Sequence, residues 1–452
     1  LQTILIVPLA ANDWMWRTAV AGSLVSMLAF VVAALALYHH ARRLYNVESD
    51  AYRKGLPLIT AAVFILNPSA LYMQTTPMSE LVFMGAVACA AFLLQRWVDE
   101  PSLERLIQSA AGMTVATLAR YEAWPVAAVS GLIVLTAGSG DLTSRLKSAT
   151  VYSLIVSVGP VYWLWHNWAI YGNPVEFLTG PNSARGIYLQ NEAALGWAKI
   201  FVGNFWLDLL LLLITVAVCA GPLVLMAALA GLGKITITRR RGLLRYSPAY
   251  LLVVPFIFHL FSLYRGEIQI FPFSAFGILN IRYGLPHLLP VALFAPASAL
   301  LLKRAGARLS LALVCAVVAA QYFLLISEGP RQLAIYQEGF RNGVNARSVR
   351  ERERVSDWLR QNRPRPMILM QTGALGPLVS NGGLEFSGII HEGTIGWHAI
   401  EDRIPEAIRT VIIHEGDPLD RRIAQSERLA ADLASSFREE FSAGKIKVFT
   451  RR

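Results

Sequence analysis

Charge is scarce in this chain: Asp, Glu, Lys and Arg make up 16% of its 452 residues, against about 25% in an ordinary soluble domain. Cysteine is scarcer still. Cys89, Cys219 and Cys315 each lie inside an apolar run, without metal-ligand spacing and without the clustering of a disulfide framework, so they read as small buried residues. There is no P-loop, no HExxH and no nucleophile elbow, which excludes the chemistries those motifs serve. Internal repeats and low-complexity segments are lacking as well.

What the chain has instead is apolar length. It is 55% hydrophobic with a mean hydropathy of +0.46, and the class is a polytopic membrane protein. The net charge of +11 would otherwise suggest nucleic acid. Its cations, however, sit in short loops between apolar segments, where they orient spans in a bilayer.

Ten spans are expected, at about 18–38, 56–72, 78–96, 105–119, 122–138, 148–170, 206–232, 248–264, 285–302 and 308–326. The runs are continuous and do not alternate, which favours helices over barrel strands. One set of loops, from Arg42 to Arg308, holds 16 Lys and Arg; the other holds Arg17, Arg120, Arg185, Lys199, Arg265 and Arg282. That bias makes the first set cytoplasmic and puts the C-terminal tail outside. Segments 1–14 and 188–205 read as helices lying at the outer interface, through Trp14 and Trp16 in the first and Trp197, Phe201 and Phe205 in the second.

Beyond residue 326 the composition turns charged. A helix is expected over 331–363 and another over 418–440, with strands at 366–371, 384–390, 410–414 and 445–450. The fold class is therefore mainly α: a transmembrane bundle over 1–326 and a small extracytoplasmic α/β domain over 327–452.

The chemistry-bearing residues gather in the loops of the less cationic side. In Asn67-Pro68 through Pro77-Met78-Ser79-Glu80, Pro77 and Thr76 or Glu80 could begin a helix, or Glu80 could line a polar cavity. In Ala119-Arg120-Tyr121-Glu122-Ala123-Trp124, Arg120 and Glu122 are either interfacial charges or a phosphate-binding guanidinium with its orienting carboxylate. Tyr171-Gly172-Asn173-Pro174 and the following Asn182, Ser183 and Arg185 carry turn chemistry first. Arg282-Tyr283 puts a fixed cation and a phenol where a loop meets an apolar helix. That is costly for a charge unless it snorkels or faces a polar ligand, and a guanidinium fork suits phosphate oxygens. In the tail, His391-Glu392-Gly393 and His414-Glu415-Gly416 are read as strand-end loops rather than a metal site.

The order of the Asn67-Pro68 to Ser79-Glu80 stretch, Arg120-Tyr121-Glu122-Ala123-Trp124, Tyr171-Gly172-Asn173-Pro174 and Asn280-Ile281-Arg282-Tyr283 resembles the GT-C class of integral-membrane glycosyltransferases. Within that class the similarity is to bacterial relatives of protein mannosyltransferases and of the aminoarabinose transferase of lipid A. The resemblance covers about residues 1–326. It implies a polyprenyl-phosphate sugar donor, a lipid, glycan or protein acceptor, and an acidic general base in the first outer loop. The chain starts at Leu1 rather than Met, so that base is expected upstream of Leu1; Asp13 has no matching motif. Glu80, Arg120, Glu122, Arg282 and Tyr283 are then the candidates for donor-binding or supporting roles. No cofactor is certain, a divalent metal is possible, and nucleic acid is not a partner. The competing expectations are a transporter or flippase of a lipid-linked or polar solute, which intramembrane charge would also suit, and an inactive scaffold.

Overall fold

The structure, a computed structural model, describes residues 1–180, 183–191, 199–268, 270–274, 277–327, 335, 346–364, 366–398 and 400–452. The expected site residue Asn182, residues 192–198 of the expected interfacial helix at 188–205 and most of 331–345 lie outside those residues. The chain divides into two compact units, Leu1–Ala11 with Ala19–Glu338, and Asn12–Thr18 with Gly339–Arg452.

The first unit is helical. Among the described residues, five helices are long and apolar enough to cross a membrane: Val20–Leu44, Glu80–Asp99, Gly242–Tyr264, Ile281–Ala305 and Ala307–Ser327. A sixth candidate is a bent pair, Phe205–Ala220 with Pro222–Thr238, which meet at 109°. Ten spans are therefore too many, and each shortfall has a local cause. The span expected at 56–72 stops at Ile65, because Asn67 and Pro68 start a new turn whose first amides are met by the Asn67 side chain. Those expected at 105–119 and 122–138 are helices of 17 and 15 residues, Leu103–Ala119 and Ala123–Ala137, short of the 20 or so residues a crossing needs. The stretch 148–170 lies in a 30-residue helix, Leu142–Tyr171. Its Arg145 and Lys147, and the Tyr, Trp, His and Asn beyond Pro160, leave no window apolar enough.

The bend that breaks the expected span 206–232 is written in Gly221-Pro222. Gly221 has φ 90°, open to glycine, and Pro222 has no amide to continue the first helix. Gln321 Oε1 accepts from the amide of Leu223, one of the donors the new helix start leaves free.

A single apolar core runs through this unit, and its helices approach closely where glycine permits. A Cβ on Gly85 would lie 2.6 Å from the Ala29 carbonyl oxygen, and one on Gly284 2.6 Å from that of Thr215 and 2.7 Å from Cys219 Sγ. The second contact seats Ile281–His287, a 3₁₀ segment, against helix Phe205–Ala220, with Cys219 Sγ 3.3 Å from the Ile281 carbonyl. Strands β1 (Phe271–Ser274) and β2 (Gly277–Leu279) form a small antiparallel hairpin just before it.

The second unit is built on a five-stranded sheet of β3 (Ile368–Met370), β4 (Ile389–Ile390), β5 (Thr410–His414), β6 (Phe437–Ala443) and β7 (Ile446–Arg451), in the order β4-β3-β5-β7-β6. β3 is parallel to β4 and β5, and β7 is antiparallel to β5 and β6. Side chains alternate across it. Ile368, Met370, Ile412 and Val448 face Val355 and Leu359 of helix Arg347–Asn362, while Leu369, Val411 and Ile413 face Ile423 and Leu429. Three of the four expected strands recur, and two expectations need correction. Residues 384–388 form a turn before a two-residue strand. The helix expected over 418–440 breaks at Ser426, whose hydroxyl accepts from the Leu429 amide to start a second helix, and 437–440 leaves it for the β6–β7 hairpin, turned at Gly444 with φ 59°.

Glu392, after β4, accepts from the amides of Thr372 and Gly373 at 2.8 Å and from the Thr372 hydroxyl at the start of helix Thr372–Asn381. Partial burial pushes its carboxyl pKa up, but these donors outweigh that and hold it below the usual value. A depressed folded pKa stabilises above the unfolded pKa and loses that contribution as pH falls through the folded one. Protection of the Thr372–Asn381 amides from exchange, relative to their intrinsic rates, is thus expected to fall as the pH drops below about 4, and in Glu392→Gln to be low already at neutral pH with most of that acid dependence gone. A second prediction follows from the helix approach: Gly284→Ala forces its Cβ into backbone and is expected to destabilise by about 1–3 kcal/mol, seen as a lower melting temperature of the purified protein.

Candidate functional site

The five candidates Glu80, Arg120, Glu122, Arg282 and Tyr283 come from four separate segments, and folding brings them together. Arg120 caps the C-terminus of helix Leu103–Ala119 in extended backbone, which turns its side chain out of the helix. Glu122 follows at the head of Ala123–Ala137. Glu80 begins helix Glu80–Asp99, and Arg282 and Tyr283 lie in the 3₁₀ segment seated by Gly284.

Arg120 is the hub. Its Nε and Nη2 donate to Glu122 Oε1 at 2.9 and 2.7 Å, and its Nη1 lies 3.2 Å from Glu80 Oε1 and donates to Ser79 Oγ at 3.1 Å. The guanidinium also lies 6.0 Å from the Tyr283 ring centroid. Glu80 is buried, and its Oε1 is shared with Arg282 Nε at 3.6 Å while its Oε2 has no hydrogen-bond partner among the described residues. Carboxylates this deep are costly unless paired and bonded. One guanidinium serving two of them, with a second cation on the outer one, meets that requirement.

Glu80 was an alternative helix-starting group. In the structure Ser79 stands at the cap position without a side-chain bond, Thr76 Oγ1 donates back to the Met73 carbonyl, and Pro77 lies before the helix. The Glu80 carboxylate is spent on the two arginines. Arg282 is the cation of the cluster with spare capacity: its side chain is 37% exposed, its ion pair to Glu80 is long, and among the described residues its Nη1 meets only Met78 Sδ at 3.9 Å.

Two histidines extend the cluster inward, and sequence reasoning missed both. His259 Nε2 lies 3.5 Å from Glu122 Oε1, and His259 Nδ1 is 3.0 Å from His287 Nε2. Both rings are buried, and among the described residues His287 Nδ1 has no hydrogen-bond partner. A contact of 3.0 Å between ring nitrogens requires one ring to donate and the other to accept. Each is a lone His inside an apolar run, so the only available signal was that an ionisable group in such a run calls for a partner. Asp208, buried in the first turn of Phe205–Ala220 with neither oxygen hydrogen-bonded among the described residues, was missed for the same reason.

Other singled-out residues do not join the cluster by any direct contact. Asn67 donates to the Cys219 carbonyl and caps its own turn. Gly172, with φ 71°, ends helix Leu142–Tyr171, and Asn173 binds Glu176 and Thr179. Arg185 donates to the Arg265 carbonyl, Arg265 pairs with Glu267, and the exposed Asp13 pairs with Arg17. In the second unit His391 Nδ1 accepts from the Gly393 amide and the His414 amide donates to Asp417. Among the described residues no group of three His, Cys, Asp or Glu stands together as a metal site would.

Neither a family model nor a curated protein matches this chain.

Chemically, the cluster offers a half-exposed guanidinium and a phenol beside a neutralised, rigid ionic core. That arrangement suits an anionic group arriving from solvent. Removing the hub strands two buried carboxylates: Arg120→Ala is expected to lose about 3–5 kcal/mol, and Arg120→Lys a smaller part, measured by thermal unfolding in detergent.

Proposed function

We propose that the chain is a membrane glycosyltransferase, of the GT-C kind its motifs resemble, moving a sugar from a polyprenyl-phosphate donor to a lipid, glycan or protein acceptor. In this reading it is a multi-pass protein of the cell's inner membrane, with the Arg120 cluster and the C-terminal unit on the extracytoplasmic side. The observation that carries the reading is the convergence of Glu80, Arg120, Glu122, Arg282 and Tyr283 at one end of the first unit, with Arg282 free to bind another anion. The donor phosphate would take the open donors of Arg282. An acceptor hydroxyl attacks the anomeric carbon, and the bond to the polyprenyl phosphate oxygen breaks. The leaving phosphate is stabilised by the guanidinium, and the hydroxyl proton passes to a carboxylate base. Glu80 and Glu122 are occupied by Arg120, so in this reading they serve as supports.

A transporter or flippase is the second reading. It is favoured by the 109° break at Gly221-Pro222 and by the buried Glu122–His259–His287 chain, since broken helices and buried ionisable chains also occur in transporters.

Membranes holding the full-length protein are expected to transfer sugar from a polyprenyl-phosphate sugar, and Arg282→Ala to slow that transfer about 100-fold or more while remaining membrane-inserted. Unchanged transfer by that variant removes Arg282 from the site. Solute movement without any transfer selects the transporter.

A further inference from the structure

At the far end of the same helices lies a second cationic site. Helix Glu80–Asp99 runs about 28 Å from Glu80 to its last residue at 1.5 Å per residue. There Asp99 meets the last turn of helix Val20–Leu44 and the segment Arg240–Tyr246. Between the three lies a cavity of about 440 Å³ whose lining includes Arg42, Arg43, Arg245, His39, Phe92 and Asp99.

The ion pairs leave this cavity positively charged. Asp99 Oδ2 accepts from Arg43 at 2.8 Å, and its Oδ1 accepts from Arg245 at 3.1 Å and from Gln95 at 3.3 Å. Its single charge is thus divided between two guanidiniums and fixes them at the rim. Glu100, the other acid on the lining, pairs with Arg105. Arg42 has no carboxylate within ion-pair distance among the described residues; its guanidinium lies 6.0 Å from the Tyr38 ring, with the His39 ring stacked on Phe92 beside it. Three guanidiniums therefore face one shared carboxylate, in a pocket with an aromatic wall.

Arginines at a helix end can simply snorkel into water. A cavity in which a shared acid holds two of the three arginines, Arg43 and Arg245, in place and leaves the third, Arg42, without an acid among the described residues offers more: guanidinium forks for phosphate oxygens. Basic pockets between the ends of membrane helices suit anionic lipid headgroups. We propose that this cavity binds the phosphate of an anionic phospholipid headgroup from the adjoining leaflet, with Arg42 as the principal contact and Arg43 and Arg245 completing the cradle. The proposal is independent of the transferase reading, because it involves none of the residues of the Arg120 cluster.

The test is thermal unfolding of the full chain in phosphatidylcholine bilayers with and without phosphatidylglycerol. A lipid that binds the folded state raises its melting temperature. Phosphatidylglycerol is expected to stabilise the unmodified protein and to lose most of that effect with Arg42→Glu, while Arg42→Gln, which breaks no ion pair, loses a smaller part. Arg53→Glu, which alters an exposed cation in an ordinary i,i+3 pair, should keep the full response. Equal responses from the unmodified protein and both Arg42 variants overturn the proposal. A loss as large with Arg53→Glu also overturns it, since surface charge then suffices. Inorganic phosphate in plain phosphatidylcholine reproducing the whole shift overturns the lipid as its source.

Discussion

Two carboxylates buried in an apolar helix bundle can persist only if a cation is buried with them, and Arg120 fills that place for both Glu80 and Glu122. Much of the upper half of the first unit follows from this demand. Leu103–Ala119 has to end in extended backbone so that the guanidinium can turn inward. Glu80 has to stand at the head of its helix, and the 3₁₀ segment has to come close enough for Arg282 and Tyr283 to meet the same charges, which Gly284 allows. The cluster is thus a structural joint between four segments as well as a site, and only its outermost cation keeps donors for something else.

The opposite end of the unit repeats the device with the signs exchanged. There an acid is the hub: Asp99 holds Arg43 and Arg245, and Glu48 holds Arg239 and Lys303 at 2.8 and 2.7 Å. Those cations are members of the larger of the two loop sets of Lys and Arg, and the structure gathers them on Asp99 and Glu48, away from Arg120 and Arg282. Each end is tied by a shared charge, with an unshared arginine beside it. The two unshared arginines, Arg282 and Arg42, are where the proposals of anion binding rest.

Apolar runs were a good guide to where helices lie and a poor guide to how many cross. The runs at 18–38, 78–96, 248–264, 285–302 and 308–326 correspond to helices of 20 residues or more. The others were cut by features whose weight hydropathy does not register: Asn67-Pro68 restarting a turn, Gly221-Pro222 bending a helix, aromatic and amide groups thinning Leu142–Tyr171. In the second unit, β3, β5 and β7 fall where strands were expected, whereas the charged, helix-like spacing of 418–440 concealed β6, whose place is set by pairing with β7 rather than by its own pattern.

The sequence by itself determined that the chain is rich in membrane-length apolar helix, that a charged α/β unit follows, and which five loop residues carry chemistry that apolar surroundings make costly. Each of these depends on composition or on neighbours within a few positions. Only the tertiary structure decided that Arg120 serves two acids, that His259 and His287 line up behind Glu122, and that Asp99 gathers guanidiniums from two other segments. Apart from Arg120 and Glu122, which are two positions apart, these pairings join residues tens to hundreds of positions apart, and nothing local to either partner encodes the other's place.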